Sequence, residues 1–333
     1  MRLGVLDVGS NTVHLLVVDA HRGAHPTPMS STKSALRLSE TMGDDGRITD
    51  RGAERLVDTV AEFASIATTS GCGELMAFAT SAVREAANSD DVLARVRADA
   101  GVELQVLSGV DEARLTFLAV RRWFGWSAGT ILDLDIGGGS LELTVGGDED
   151  PEVALSLQLG AGRLTREWLV EDPPSKRRIG VLRDWLDAEL ADPAKQLAMA
   201  GTPDLAVGTS KTFRSLARLA GAAPSSAGPR VRRTLTRTGL QQLIAFISRM
   251  TADDRAELDG VTADRSPQIV AGALIAEASM RALDLESVEI CPWALREGLI
   301  LRRLDTGLGG ERVDGVTLGV NGDDRRTAKV AAK

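Results

Sequence analysis

Two glycine-rich segments of the sequence share an acidic residue, glycines and hydroxyl side chains. Residues 7–12 read Asp-Val-Gly-Ser-Asn-Thr, and residues 135–140 read Asp-Ile-Gly-Gly-Gly-Ser. Glycine lets the backbone turn several N–H groups toward one anion, and hydroxyl and amide side chains add further donors. Such donors suit a phosphate group. The residues expected to bind phosphate here are Gly9, Ser10, Asn11, Thr12, Gly137, Gly138, Gly139 and Ser140.

The acidic residues in and after these segments are candidates for holding a metal ion. Asp7 and Asp135 each end an apolar, strand-like run. Mg²⁺ prefers a few carboxylate oxygens together with substrate phosphates. Glu142 lies two positions after Ser140, so in a strand it faces the same side. The sequence therefore predicts a Mg²⁺ site, with Mn²⁺ as an alternative ion, at Asp7, Asp135 and Glu142.

Three further segments place polar side chains between a strand and a helix. Arg84 follows the strand-like run that ends at Thr80, and its planar guanidinium suits phosphate. A turn before another predicted helix favours anions through the helix N-terminus, although the spacing of a P-loop is absent. This turn consists of Gly208, Thr209, Ser210 and Lys211. Asp111 and Glu112 open a third helix, and because adjacent helical residues point about 100° apart, only one of them can face a cleft.

Each of these features also has a purely structural interpretation. The glycine-rich segments would be ordinary turns, Arg84 a solvated loop residue and residues 208–211 a capped helix start. The acidic pair would complement the helix dipole, and Glu142 would be an exposed strand carboxylate. What favours the ligand-binding interpretation is the repetition of the glycine-rich segment with Asp in the same place.

The elements around these residues alternate between strand and helix. Short runs rich in Val, Leu and Ile predict strands at 3–8, 13–19, 75–80, 103–107, 130–136, 141–145, 153–157, 205–208 and 288–291. Apolar residues at helical spacing predict helices at 51–69, 90–100, 111–124, 176–190, 212–219, 238–250, 267–283 and 294–304. The alternation predicts an α/β fold. Each glycine-rich segment joins two strands as a hairpin, so we expect duplicated domains that face each other across a ligand-binding cleft.

Composition restricts the location and the partners of the chain. A length of 333 residues corresponds to about two domains of ~150 residues each. A net charge of −8 argues against non-specific binding of nucleic acid. The sequence contains neither a run of apolar residues long enough to span a membrane nor a signal-peptide pattern at its start. Cys72 and Cys291 fit no metal-binding spacing and suit a reducing compartment. We therefore expect a cytoplasmic protein with no nucleic-acid or membrane partner.

Five ordered blocks of the sequence resemble the exopolyphosphatase / guanosine pentaphosphate phosphohydrolase family. The blocks, which span about residues 2–304, are residues 7–12, 80–84, 108–115, 135–143 and 295–299. The chain is most similar to the short actinobacterial exopolyphosphatases, which have two domains. Ser210 and Lys211 stand where the family has a glycine pair.

The resemblance implies a fold, a site and an assembly. The fold is two ribonuclease-H-like domains of the actin-like ATPase superfamily, at residues 1–127 and 128–305, with a cleft between them. Residues 306–333 are expected to be a disordered tail. The catalytic carboxylates map onto Glu112 and Glu142, Mg²⁺ is the expected cofactor, and a homodimer is the expected assembly.

Four functions fit these residues to different degrees. The first is an exopolyphosphatase that hydrolyses the terminal phosphate of inorganic polyphosphate, with short chains as the expected substrate. The second is a phosphohydrolase of guanosine pentaphosphate that uses the same site, which would connect the protein to the stringent response. A non-catalytic regulator that binds an alarmone, such as guanosine penta- or tetraphosphate, or polyphosphate, and an actin-like sugar or acetate kinase fit less well. Aromatic residues make up 3% of the chain and Tyr is absent, which favours polyphosphate over a guanine-stacking site.

The acidic pair at the third helix start provides a test of the mechanism. Glu112→Gln keeps the shape of the side chain but cannot accept a proton, so the rate on a short polyphosphate should fall by about 10²–10⁴-fold while binding survives. Asp111→Asn should matter far less, because that side chain points elsewhere on the helix. Steady-state kinetics with separately measured binding check both variants. If Asp111→Asn is inactive and Glu112→Gln is active, the general base is Asp111 and not Glu112. If both variants are active, Glu142 becomes the candidate for the general base.

Overall fold

The computed structural model describes residues 1–21, 23–43 and 45–306. The predicted tail, residues 306–333, lies outside the described residues except for Thr306, which ends the last helix. Among the helices that the structure describes, none combines the length and the apolar character needed to cross a membrane.

The first sheet has five strands built from the N-terminal part of the chain. They are β1 (Arg2–Val8), β2 (Thr12–Asp19), β3 (Pro28–Ala35), β4 (Glu74–Ala79) and β5 (Gln105–Val106), in the spatial order β3-β2-β1-β4-β5. The three strands β1 to β3 form an antiparallel meander, and β4 and β5 continue the sheet in parallel with β1. The first glycine-rich segment is the tight turn between β1 and β2.

The second sheet repeats this arrangement with one strand added at an edge. Its strands are β6 (Ile131–Ile136), β7 (Leu141–Gly146), β8 (Val153–Leu157), β9 (Leu205–Gly208), β10 (Thr234–Thr236) and β11 (Ser287–Ile290). The order β10-β11-β9-β6-β7-β8 places β6, β7, β8, β9 and β11 where β1 to β5 lie in the first sheet. This duplication confirms the predicted α/β fold with two ribonuclease-H-like units.

Eleven helices of the described residues cover the two sheets. They are α1 (Asp50–Thr69), α2 (Ser81–Arg84), α3 (Ser89–Ala100), α4 (Gly109–Phe124), α5 (Ala161–Trp168), α6 (Lys176–Ala198), α7 (Ser210–Leu219), α8 (Arg237–Ile247), α9 (Ala252–Ala256), α10 (Ile269–Ala282) and α11 (Leu295–Thr306). One face of the first sheet packs on α1 and α3, and the second sheet packs on α5, α6, α7, α8 and α10.

Each sheet with the helices that pack on it forms one lobe of the protein. The remaining face of each sheet is covered by a helix that crosses over from the other lobe. Helix α11, which follows the second sheet in sequence, packs Leu295, Leu299 and Ile300 on Leu3 and Val5 of the first sheet. Helix α4, which follows the first sheet, packs on β6, β7 and β8 of the second sheet. The two helices also contact each other. Each lobe is therefore completed by a helix from the other half of the chain.

Five elements, β3, β10, α2, α5 and α9, were not predicted from the sequence, and α6 is longer than predicted. Strand β3 was not predicted because it is a mostly exposed edge strand with a polar sequence. Helix α5 was not predicted because it is only eight residues long and begins directly after a glycine. Helix α6 was predicted to end at 190, before Pro193, but it continues to Ala198 with the ring of Pro193 buried.

The crossing of α4 and α11 depends on Gly298. A Cβ atom at this position would overlap the backbone carbonyl of Leu115. Gly298→Ala should therefore lower the free energy of unfolding by about 1–3 kcal/mol, the usual effect of overpacking a buried contact. Urea denaturation measures the change. The control is Gly180→Ala in α6, where a Cβ meets nothing within 4 Å and alanine should stabilise the helix by up to about 1 kcal/mol. Equal effects of the two substitutions would contradict the close helix crossing.

Candidate active site

The two glycine turns meet face to face between the lobes. A Cβ atom on Gly138 would lie 3.0 Å from both the amide nitrogen of Asn11 and the Cβ of Ser10. A Cβ on Gly139 would lie 2.5 Å from the Ser81 hydroxyl, which itself hydrogen-bonds Ser10 at 2.8 Å. Such distances leave no room for a side chain on the second turn, so glycine is required there for steric reasons.

Helix α5 supports the second glycine turn from behind. The turn carbonyls accept N–H groups from the beginning of this helix. These bonds are Gly160 N to Gly139 O at 3.2 Å, Ala161 N to Gly137 O at 3.0 Å and Arg163 N to Gly138 O at 3.0 Å. With the carbonyls directed at α5, the N–H groups of Gly138 and Gly139 have no hydrogen-bond partner within the part of the protein that the structure describes. Of the two, only Gly138 is partly exposed, and its N–H is a donor available to an anion.

A cavity of about 160 Å³ lies between the two turns. Twelve of the residues singled out in the sequence line it: Asp7, Gly9, Ser10, Asn11, Thr12, Glu112, Asp135, Gly137, Gly138, Ser140, Ser210 and Lys211. Five others do not line it: Arg84, Gly139, Glu142, Gly208 and Thr209. Residues from both halves of the chain therefore share one polar cavity.

Three half-buried carboxyl groups line this cavity, a fourth is fully buried behind its wall, and burial raises the pKa of each. The pKa of Glu112 is raised to about 7, chiefly by burial; the nearby Arg84 partly offsets the shift, while the charges of Asp135 and Asp7 add to it. Burial likewise raises the pKa of Asp7 and of Asp135. For Glu142 the pKa lies well above its usual value because of burial, followed by the charges of Glu112 and Asp135.

Glu142 lies opposite Asp135 across the β6–β7 hairpin. Its carboxylate accepts a hydrogen bond from the Ser156 hydroxyl at 2.9 Å, and only 4% of the residue is exposed. Glu142 thus lies behind the cavity wall rather than on its surface. Its assignments as a catalytic group and as a metal ligand stay predictions.

The carboxyl groups suit a Mg²⁺ ion that the substrate helps to hold. Among the described residues, no group of three or more acidic, His or Cys side chains converges on one point. Mg²⁺ does not require such a group, because it is usually bound by one or two carboxylates together with water and substrate phosphates. Asp7 and Asp135 both face the cavity and both carry a raised pKa, so a cation between them would relieve their mutual repulsion.

Three arginines that the sequence analysis did not assign also line the cavity. They are Arg214 on α7, Arg265 and Arg296 on α11. The Arg296 guanidinium lies 3.6 Å from an Asp7 oxygen and contacts the ring of His14. Two of them carry a signal in the sequence. Arg214 lies three residues after Lys211, so a helix places both side chains on one face, and Arg296 belongs to the block at 295–299. Arg265 is in an irregular segment, where no pattern marks it.

Arg84 is held beside Glu112 and does not reach the cavity wall. Its guanidinium bonds the Glu112 carboxylate at 3.2 Å and the Leu107 carbonyl at 2.9 Å. The neighbouring Glu85 pairs with Arg163 of α5, and Arg163 also donates to the Gly139 carbonyl at 3.2 Å. An ionic bridge between the lobes therefore joins the second glycine turn to the arginine that contacts Glu112.

In the segment at 208–211, the first two residues pack inside the second lobe and the last two line the cavity. A Cβ on Gly208 would lie 2.7 Å from the Phe213 ring, and the Thr209 hydroxyl bonds the Leu134 carbonyl at 3.3 Å. Ser210 and Lys211 face the cavity. Ser210 has φ of 64°, in the left-handed region that glycine adopts without strain. A glycine, which the resemblance described above implies at this turn, would adopt this conformation without strain.

The structure combines two ribonuclease-H-like units with facing glycine turns and a cavity lined by carboxylates and arginines. These features are typical of a phosphate-binding protein of the actin-like ATPase superfamily. Residues 17–307 match the model of the Ppx/GppA phosphatase family. The chain belongs to that family.

Individual relatives agree with this placement. Exopolyphosphatase 1 of Mycobacterium tuberculosis is 75% identical over 310 residues, which cover 93% of this chain and 90% of the relative. The guanosine-5'-triphosphate,3'-diphosphate pyrophosphatase of Aeromonas salmonicida is 28% identical over 89% of this chain and 58% of its own length. The crystal structure of an exopolyphosphatase from Cytophaga hutchinsonii matches with a TM-score of 0.83 and 25% identity, and the match covers 92% of this chain and 98% of that chain.

The raised pKa of Glu142 leads to a prediction about stability. A carboxyl whose pKa is raised by folding favours the folded state at pH values below its unfolded pKa and loses that contribution as the pH rises. At pH 8 in metal-free buffer, Glu142→Gln should therefore raise the melting temperature, by about 2–4 °C for each kcal/mol relieved. At pH 5 the gain should shrink, because a raised pKa favours the protonated, uncharged carboxyl of the folded protein as the pH falls. Thermal unfolding at both pH values measures the effect.

The control for this measurement is Glu62→Gln on the exposed side of α1, where a surface change should stay within about 0.5 kcal/mol at either pH. A lower melting temperature for Glu142→Gln than for the unmodified protein at pH 8 would contradict the prediction.

Proposed function

We propose that the protein is an exopolyphosphatase that releases the terminal phosphate of inorganic polyphosphate by attack of water. The observation that carries the proposal is Glu112, a half-buried carboxyl with a pKa of about 7, at the edge of a cavity formed by both glycine turns. A group with that pKa can take a proton near neutral pH. The 75% identity with a mycobacterial exopolyphosphatase supports the same substrate.

The protein binds the terminal phosphate through backbone donors and fixed cations. The free N–H group of Gly138 and the hydroxyls of Ser10 and Ser140, which line the cavity, donate to phosphate oxygens. Arg214, Arg265 and Arg296 supply positive charge at the cavity wall. Donors held in place before the substrate arrives need no reorganisation as charge develops in the transition state.

Glu112 orients the attacking water and accepts its proton. Arg84 holds this carboxylate in place through the 3.2 Å ion pair and through its own anchor on the Leu107 carbonyl. The bridge from Glu85 to Arg163 keeps this assembly against the second glycine turn. Phosphoryl transfer to water depends mainly on such positioning and on charge stabilisation.

Asp7 and Asp135 would hold a Mg²⁺ ion, with Glu142 behind Asp135. When bound, the ion neutralises charge on the terminal phosphates. Without it, the two aspartates would repel the same phosphates that the arginines attract. A divalent cation would remove this repulsion, so the arrangement favours a metal-dependent reaction.

Guanosine pentaphosphate is the second candidate substrate. The relative from Aeromonas salmonicida supports it, but that protein is only 28% identical. Among the described residues, no aromatic side chain lines the cavity between the glycine turns, so a guanine base finds no stacking surface there. Homodimer formation and a cytoplasmic location stay predictions, and light scattering after size-exclusion chromatography tests the first.

A comparison of substrates under one set of conditions tests the proposed function. Phosphate release is measured on polyphosphates of defined length, on guanosine pentaphosphate and on ATP, each with the unmodified protein and with Glu112→Gln. We expect the highest kcat/KM on polyphosphate and a loss of activity in the variant. A higher kcat/KM on guanosine pentaphosphate would replace the proposal with the second candidate.

The metal requirement is tested separately. Phosphate release from polyphosphate should disappear in EDTA and return with Mg²⁺ or Mn²⁺, because the two aspartates form a hard oxygen site with the substrate. Asp7→Asn and Asp135→Asn should each raise the Mg²⁺ concentration needed for half-maximal rate by about tenfold or more, the effect typical of a disturbed metal site. Unchanged release in metal-free buffer would contradict the assignment.

A further inference from the structure

A second and larger cavity adjoins the catalytic one. Its volume is about 380 Å³, and Lys211 and Arg214 line both cavities. One wall is helix α7, and the opposite wall is the loop at residues 222–233. The second cavity therefore continues from the catalytic cavity along α7.

The α7 wall carries a row of cations. Lys211, Arg214 and Arg218 occupy positions i, i+3 and i+7 of the helix, so they lie on one face. At 1.5 Å per residue, the row extends over roughly 10 Å along the axis. It begins in the catalytic cavity and ends inside the second cavity. Positive charge at regular intervals along a line suits an anion whose charge is also repeated along a line.

The opposite wall is held in place by Arg233, and Arg218 of the α7 wall has one acidic partner. The Arg233 guanidinium donates to carbonyls of its own loop, including those of Ala223 at 2.8 Å and Pro224 at 2.7 Å. Arg218 pairs with Asp259 at 2.8 Å. Asp259 is the only acidic residue of the lining in the described part of the chain, against four cations. Among the described residues of this lining, no carboxylate is paired with an arginine inside the wall as Glu112 is with Arg84, so we expect the cavity to bind an anion rather than to hydrolyse it.

We propose that this second cavity is a tail subsite, which binds the phosphates of a linear polyphosphate that lie behind those in the catalytic cavity. This inference rests on the proposed function. The chain leaves the catalytic cavity past Lys211 and Arg214 and follows α7 toward Arg218. Chains too short to reach Arg218 lose these contacts, so the tail subsite determines which chain lengths bind well.

The lining favours a polyphosphate tail over the base of a nucleotide. Among the described residues that line the tail subsite there is no aromatic ring, whereas bases are usually held by stacking on such rings. The distance between the first and last cations also exceeds what one compact phosphate group can contact. A nucleotide remains the competing occupant that the experiment must distinguish.

Ser225 allows a test that leaves the cations in place. It is an exposed residue of the opposite wall and lines the tail subsite, whereas its neighbour Ser226 is equally exposed and does not. Ser225→Asp should raise the KM for chains of tens of phosphates by roughly two- to fivefold, the range of one partly exposed charge contact. Ser225→Lys should lower that KM. For tripolyphosphate both variants should match the unmodified protein, and kcat should not change on either substrate.

Ser226→Asp is the matched control, since it adds the same charge one residue away. An equal rise in KM for Ser225→Asp and Ser226→Asp would show an effect of overall charge and overturn the tail subsite. An equal rise for tripolyphosphate and long chains would overturn it as well. If ATP binding responds to Ser225→Asp while long polyphosphate does not, the occupant is a nucleotide and the proposal is wrong.

Binding measured without turnover separates this inference from the proposed function. Long polyphosphate is titrated into the Glu112→Gln protein with and without Ser225→Asp, and calorimetry gives the two affinities. A two- to fivefold weaker affinity with Ser225→Asp supports the tail subsite even if no polyphosphate is hydrolysed, in which case only the proposed reaction fails. Equal affinities would overturn the tail subsite even if hydrolysis is observed.

Discussion

Buried negative charge is the constraint on which the rest of this structure depends. Four carboxyl groups, from Asp7, Glu112, Asp135 and Glu142, are wholly or partly removed from water, which raises the pKa of each. Charges within the group add to the shift for Glu112, Asp135 and Glu142. Like charges in such a place are unfavourable unless protons or cations compensate them. The arginines from α2, α7 and α11 provide part of that compensation. A phosphate substrate brings further negative charge, which is the reason a divalent cation belongs to the proposed mechanism.

The two copies of the glycine turn are complementary rather than identical. The first carries Ser10 and Asn11, and the second carries Gly138 and Gly139 in the places that face them. Because the turns touch, only one of them can bear side chains. The two turns share a backbone arrangement, and the difference in their side chains allows the two lobes to lie in contact.

Local patterns in the sequence predicted the glycine turns, most strands of both sheets and the pair at Asp111 and Glu112. They could not predict β3, because an exposed edge strand needs no apolar alternation. Nor could they predict Arg265 or Arg163, whose roles arise from contacts between residues far apart in the chain. Nor could they predict that Arg84, which was expected to bind phosphate, contacts Glu112, because the sequence fixes the residue type but not the direction of a long side chain.

The crossed helices also govern the order in which the protein can be completed during synthesis. The apolar side chains of Leu3 and Val5 are covered by Leu299 and Ile300 of α11. A ribosome releases the N-terminal lobe first, yet that lobe keeps an uncovered apolar face until residues 295–300 emerge. The first lobe to be made is therefore among the last to be finished, and nascent chains stalled before α11 present a surface that chaperones recognise.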